Sequence, residues 1–325
     1  MNTTPSTTQD TVFGLLRRRD LRASNGQWAS LAVLTVLAWL GATSFIGRYR
    51  RNQVARLIEA LVPGESAFPV MLAAASVLAA LGFALRRRRF AGAATIVAGF
   101  LAGHLLYEVL YPHAGLRITI PLTSLADGVH FAGARLLWAV CVAAVMLPLW
   151  YLTFGRSPGE PRRLTLGWGD WSVAARDFGA KQPPQPYARS LRRGYLGFVL
   201  VLLVLMQLNV AFRPLRSGAL LALFLPLLVS AVANASAEEL IFRGIIQPTF
   251  IRLGGIAAGL WMQGALFGLM HWGTSVGVLA ALPVSLAIGL GSVTWGKAAL
   301  ETGGLGWVIV AHALIDVAIM AAFFV

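Results

Sequence analysis

The chain is poor in charge, in cysteine and in lysine. Charged residues make up 12% of its 325 residues, about half the share of a soluble globular domain. Hydrophobic residues make up 57%, and mean hydropathy is +0.71. That imbalance excludes disorder, collagen and coiled coil. A single cysteine, Cys141, excludes a disulfide scaffold. There is no CxxC pair, no HExxH, no Gly-rich phosphate loop, no internal repeat and no soluble nucleic-acid module. Twenty-five of the 27 basic residues are Arg, a codon bias that hints at a GC-rich, bacterial genome. The net charge of +14 is read as topology information, because cytoplasmic loops of membrane proteins accumulate basic residues, and no nucleic-acid partner is expected.

What the chain has in abundance is long apolar runs. A membrane-spanning helix needs about 20 mostly apolar residues. Windows near 28–46, 68–85, 90–111, 131–154, 195–212, 219–246, 254–272, 275–296 and 303–325 qualify. The expectation is an all-α polytopic membrane protein with about eight or nine spans; 219–252 is about 51 Å as one straight helix, so Pro226 or a break near Asn234 leaves that count open. No small-residue cleavage site precedes the first span, so no removable signal peptide is expected.

Basic residues sort the loops. The arm before the first span carries Arg17, Arg18, Arg19 and Arg22, the 86–89 turn is four arginines, and 155–194 has eight basic residues. If every span crosses once, these fall on one side, which puts the N-terminus in the cytoplasm. The 112–130 segment holds only Arg117, as an external loop should. The 47–67 segment also belongs outside, yet carries Arg48, Arg50, Arg51 and Arg56; QVARLIEAL within it reads as a surface-lying amphipathic helix. The expected organisation is a cytoplasmic arm (1–27), a four-span unit (28–154), a basic, Pro-containing cytoplasmic loop (155–194) and a membrane core (195–325) in a bacterial plasma membrane.

Ionisable residues interrupt the apolar runs of that core. Each central charge costs roughly 2.5 to 3.5 kcal/mol on insertion scales, so each is a functional candidate. ASAEELIFRG holds Glu238, Glu239 and Arg243; FGLMH holds Phe267 and His271; HALID holds His312 and Asp316. At 100° per residue Glu239 and Arg243 are an i,i+4 pair on one face, which an internal ion pair explains. Glu238 points about 140° away from Arg243 and stays unexplained, poised as a proton acceptor. His312 and Asp316 are likewise i,i+4, and Phe267 can wall His271 from one turn below. A turn at Gly254-Gly255 makes an antiparallel hairpin in which Glu238 and His271 both lie roughly 22–26 Å from the turn. His312 and Asp316 come at roughly 14–20 Å into the last span, so one buried cluster can hold all four.

EExxxR, FxxxH and HxxxD, in this order within 218–325, resemble the CPBP intramembrane proteases, the family of type II CAAX prenyl endopeptidases, bacteriocin-processing relatives and Abi proteins. The resemblance implies that Glu238 and His271 activate water, that His312 and Asp316 stabilise the oxyanion, and that Glu239 and Arg243 hold the first helix. It also leaves a difficulty. The last position of that pattern is often Asn, which donates directly, whereas Asp316 donates only when protonated; if ionised, Glu238, His271, His312 and Asp316 resemble a Zn²⁺ donor set. A metal-free mechanism is favoured here, with Zn²⁺ as the alternative. The implied partner is a membrane protein or peptide in the bilayer: a tail, a leader or a lipidated terminus.

A second polar set lies in the four-span unit: His104 and Glu108 in the third span, Arg135 in the fourth. A structural salt bridge between Glu108 and Arg135 is expected. The segment GLRITIPLTSLADGVH reads as a re-entrant lid or a plain loop, and Tyr107, Tyr111, Trp28 and Trp150 as interfacial anchors. Besides an endopeptidase, two other functions fit: a non-catalytic immunity or scaffold protein, and a transporter with its site between two helical halves.

Overall fold

A computed structural model describes residues 23–49, 67–118, 123–154, 217–271 and 278–324, with short pieces (167–170, 172, 174–175 and 185–186) of the connection between them. The expected 195–212 span and the 47–67 amphipathic helix lie largely or wholly outside the described residues. The protein is helical: α1 (Asn25–Tyr49), α2 (Ala67–Ala84), α3 (Arg88–Leu110), α4 (Leu125–Phe154), α5 (Ser217–Glu239), a π-helical segment (Leu240–Ile246), α6 (Gln247–Met270), α7 (Val278–Thr302) and α8 (Gly306–Phe324). A two-residue antiparallel pairing, Ala174 with Pro186 and Ala175 with Gln185, is the sole sheet among the described residues.

Local chemistry sets the helix ends. Ser24 and Gln27 form a reciprocal capping box: Gln27 N–H donates to Ser24 Oγ (3.2 Å) and Ser24 N–H to Gln27 Oε1 (2.8 Å). At α4 Asp127 N–H donates to Ser124 Oγ (3.2 Å), while the Ser124 hydroxyl and Thr123 N–H donate to Asp127 Oδ2 at 2.9 and 3.0 Å. This cap starts α4 at Leu125, six residues before the expected span. The second half of GLRITIPLTSLADGVH is therefore the first turn of a helix rather than a lid.

Three stretches of the described residues are long and apolar enough to cross a membrane: Arg88–His113, Leu125–Phe154 and Phe224–Met270. The third, 47 residues long, is too long for one crossing. Gly255, at φ 81° and ψ 173°, breaks it into two arms. Glycine takes that positive φ without the penalty an L side chain meets, so the expected hairpin turn is where the sequence puts it. Neither Pro226, inside α5, nor Asn234 divides the first arm.

The contacts define two ends of the bundle. At one, Gln27 donates to the Leu253 carbonyl (2.8 Å), and Arg252 lies over the rings of Trp150 (4.9 Å) and Phe154 (5.1 Å). Trp150, 9% exposed, is thus a covered packing residue and not an interfacial anchor. The 86–89 turn is here too, since Gly92 of α3 packs on Thr153 and Phe154. The α7–α8 turn also belongs to this end and takes a strand of the long connection: Asp170 N–H donates to Thr302 O (2.7 Å) and Gly306 N–H to Gly167 O (3.0 Å). Ser172 donates to the exposed Asp170 carboxylate (2.6 Å), which holds that carboxyl below its usual range. The opposite end carries the start of α4 against α5, where a Cβ on Gly128 would stand 2.7 Å from Pro226 Cα, and His271, which caps α6.

Between the ends, α5 is flanked by α4 and α8, and α6 by α1 and α7. Phe100, Phe242, Phe250, Phe267, Leu31 and Ile241 are among the largest fully or almost fully buried side chains. They form one core shared by the four N-terminal helices and the hairpin.

Candidate active site

Glu238 and Glu239 end α5, and the π-helical segment starts at the next residue. A π turn inserts an extra residue into the helical ladder, a device frequent at functional sites. Arg243 lies in that segment, fully buried, with Nη1 3.0 Å from Glu239 Oε1, as the i,i+4 spacing predicts. Its Nη2 donates to Ser292 Oγ of α7 at 2.8 Å. Its guanidinium carbon lies 4.4 Å from the Phe267 ring centroid.

His312 ties α8 to both glutamates. Its Nδ1 is 2.7 Å from Glu239 Oε1, while Nε2 is 3.7 Å from Glu238 Oε2 and 3.5 Å from Asp316 Oδ1. Trp295 covers the ring at 4.8 Å between centroids and Phe267 stands edge-on at 5.9 Å. Glu239 therefore does more than hold Arg243, because it also fixes the imidazole that faces Glu238. His271 uses Nδ1 on the Phe267 carbonyl (2.7 Å) and packs on the Phe267 ring at 4.8 Å. The four residues that the hairpin arithmetic brings together thus share one neighbourhood, with Phe267 as the wall between the two histidines.

Arg135 changes the reading of Glu238. Its Nη2 donates to Glu238 Oε1 at 2.6 Å, across 103 positions of sequence. The sequence pairs Arg135 with Glu108 as a local strut; the structure has it reaching the glutamate of the other helical unit. Arg135, one member of the second polar set, therefore belongs to the Glu238 cluster. Glu238 is consequently not an uncompensated carboxylate. One oxygen is clamped, and the other, Oε2, is buried with no hydrogen-bond partner.

Arg135 is itself oriented from below. It lies 4.6 Å over the Trp138 ring, whose indole N–H donates to His104 Nε2 (3.0 Å). His104 Nδ1 bonds the Phe100 carbonyl (2.8 Å). An indole can only donate and a carbonyl only accept, so His104 is the neutral Nδ1–H tautomer, a packing residue at full occupancy of both nitrogens.

Asn234, one turn before Glu238, donates from Nδ2 to Asp316 Oδ2 at 2.9 Å. In the sequence it reads as a helix break, and the signal that marks it as a site residue is its i,i+4 spacing to Glu238, which places both on one face. Trp295, Ser292 and Gln263, which donates to Ser292 Oγ (2.9 Å), left no signal beyond apolar or small polar residues in a span. Among the described residues no three His, Cys, Asp or Glu side chains converge as a metal-ligand group.

Residues 218–318 match the family model "Type II CAAX prenyl endopeptidase Rce1-like". The matched segment begins in α5, ends in α8 and covers somewhat under a third of the chain. It contains every residue of the three motifs, and it excludes Arg135, Trp138 and His104. The match agrees with the resemblance drawn from EExxxR, FxxxH and HxxxD, and it is to a protease family. No curated protein and no solved structure matches the chain.

Proposed function

We propose that the chain is an intramembrane endopeptidase that hydrolyses a peptide bond in a membrane-associated polypeptide. The observation that carries this reading is the divided Glu238 carboxylate. Arg135 holds Oε1, while Oε2 is buried, unpartnered and 3.7 Å from His312 Nε2. An oxygen fixed in direction but unspent is what a general base for water needs. In the proposed step, Oε2 takes a proton from water oriented with His271, and the hydroxide adds to the scissile carbonyl. The tetrahedral oxyanion is met by His312 Nε2–H. The proton on Glu238 then passes to the leaving amine, so one water is consumed and one amine and one carboxylic acid are released.

The Asp at 316 gains a role from its neighbours. Asn234 donates to one oxygen and His312 faces the other, so Asp316 orients the imidazole and the oxyanion contact falls to His312. We favour a metal-free mechanism, because the Arg135 guanidinium already stands on the Glu238 oxygen that a Zn²⁺ ion would share. Cleavage that a chelator abolishes and added zinc restores would reverse this.

We read nine crossings rather than eight. α4 finishes at the end of the bundle that holds Arg252, and α5 starts at the end that holds Gly128. The chain joining them has to change ends, and 195–212 is the apolar stretch available in the sequence.

The decisive experiment compares cells making the wild type or Glu238→Gln by mass spectrometry of membrane-protein termini. Termini that appear only with the wild type identify a protease and its cut sites. Identical sets, with any phenotype surviving the substitution, would sink the endopeptidase reading in favour of a non-catalytic scaffold.

A further inference from the structure

The basic residues and the candidate site lie toward opposite ends of the bundle. The arm leading into α1, the 86–89 turn and the connection leaving α4 carry sixteen Lys and Arg between them, and all three join helix ends at the Gly254–Gly255 turn. Arg252 adds one more there. In sequence, the segments that adjoin the helix ends away from that turn carry Arg48, Arg50, Arg51, Arg56, Arg117, Arg213 and Arg216. The bias is more than two to one, and basic loops stay in the cytoplasm.

The site is set away from that basic end. Glu238 and His271 lie roughly 22–26 Å from the hairpin turn at 1.5 Å per residue, in a hydrocarbon layer about 30 Å thick. On α4 Arg135 stands ten residues, about 15 Å, from Leu125 and nineteen, about 28 Å, from Phe154, while on α8 His312 stands six residues, about 9 Å, from Gly306. The packing agrees with this asymmetry. Between the site and the turn the interior is filled by Phe242, Ile245, Ile246, Phe250 and Leu266 and, toward α7, by the polar residues Gln247, Gln263 and Ser292, none more than 3% exposed, so packing is tight toward the arginine-rich end. On the other side the site loosens: the Arg135 side chain is 25% exposed and His271 is half-buried where α6 stops.

We infer that the site opens to the non-cytoplasmic face, and that its substrate is a polypeptide segment presented from that face, such as the membrane-proximal tail of an exported protein. A prenylated C-terminus made and held in the cytosol would meet the tightly packed end. The substrate half of this inference rests on the endopeptidase reading; the orientation half does not.

Cys141 is the single cysteine and is buried, so Cys141→Ala gives a clean background for thiol labelling of the full chain in membranes. His113→Cys or Ala114→Cys reports the site end, Leu85→Cys the arginine end, and Arg135→Cys the site itself. Spheroplasts and inside-out vesicles are treated with a membrane-impermeant sulfonated maleimide, or with an anionic methanethiosulfonate for Arg135→Cys. At least a tenfold faster reaction of the His113, Ala114 and Arg135 variants from outside, with Leu85→Cys reacting from inside, is expected. Labelling of Leu85→Cys from outside, equal labelling from both faces, or reaction of Arg135→Cys from the inside or from neither face overturns the orientation. The wild-type-dependent termini provide the second arm: they should map to exported proteins, and cuts confined to cytosolic proteins overturn the substrate class. Loss of the endopeptidase reading would leave the labelling result standing.

Discussion

Two buried histidines of this protein have opposite surroundings. His104, between α3 and α4, is held by a carbonyl and an indole at 2.8 and 3.0 Å. Both partners are neutral, each nitrogen has one role, and nothing is left to react. His312, in α8, has carboxylate oxygens at 2.7, 3.5 and 3.7 Å. Burying three acids around one imidazole is expensive, and packing gives no reason for it. The comparison teaches that the partners of a buried histidine, and not its burial, separate a core residue from a site residue. It extends to the regions that hold them. The buried polar atoms that the N-terminal helices leave without a hydrogen-bond partner include the neutral groups Thr35 Oγ1, Trp39 Nε1 and Trp150 Nε1, whereas the charged Arg135 is lent to Glu238. The hairpin and α7–α8 keep unpartnered polar atoms, Glu238 Oε2 and Glu239 Oε2 among them.

The strongest test of this contrast is on the acid side. Glu238→Gln removes the proposed base while keeping an acceptor for Arg135, and should lower cleavage by about 10²- to 10⁴-fold, read from the wild-type-dependent termini. His312→Gln should fall in the same range, whereas His104→Phe should retain at least about a third of wild-type cleavage; equal losses at the two histidines would break the contrast. Arg243→Ala leaves the buried Glu239 with His312 as its remaining partner, and loss of one partner of a buried pair costs about 3–5 kcal/mol. Thermal unfolding of the purified protein in lipid nanodiscs should register it as a large fall in Tm.

Smaller effects sharpen the picture. Arg135→Gln should reduce cleavage by about tenfold or more through Glu238. Its cost in stability should be well below that of Arg243→Ala, because Arg135 is partly exposed whereas the Arg243 side chain is 0% exposed. A loss of stability equal to that of Arg243→Ala would make Arg135 a strut and not a clamp. His104→Phe strands the Trp138 indole N–H and should cost about 1–3 kcal/mol, seen in the same unfolding measurement. Gly255→Ala should cost about 1–3 kcal/mol, because φ 81° with ψ 173° is a conformation open essentially to glycine alone, with little change in cleavage; no loss at all would mean the turn relaxes to another conformation.

The pairs within single helices that make up the three motifs were legible in the residues, although the buried i,i+4 pair of Lys297 with Glu301 (2.7 Å) was not. Glu239 with Arg243, His312 with Asp316 and Phe267 beneath His271 are all one turn apart, because the helical period is a local property. Apolar runs likewise fixed which segments are helices, and a Gly-Gly pair fixed the hairpin turn, since few other residues take its φ. Contacts between helices were a different matter. Arg135 with Glu238, His312 with Glu239 and Asn234 with Asp316 join positions 103, 73 and 82 apart. Amino-acid pattern can show that a buried charge needs a partner. Which one it takes depends on how helices pack, rotate and slide against one another, and only the tertiary structure decided that Arg135 serves Glu238.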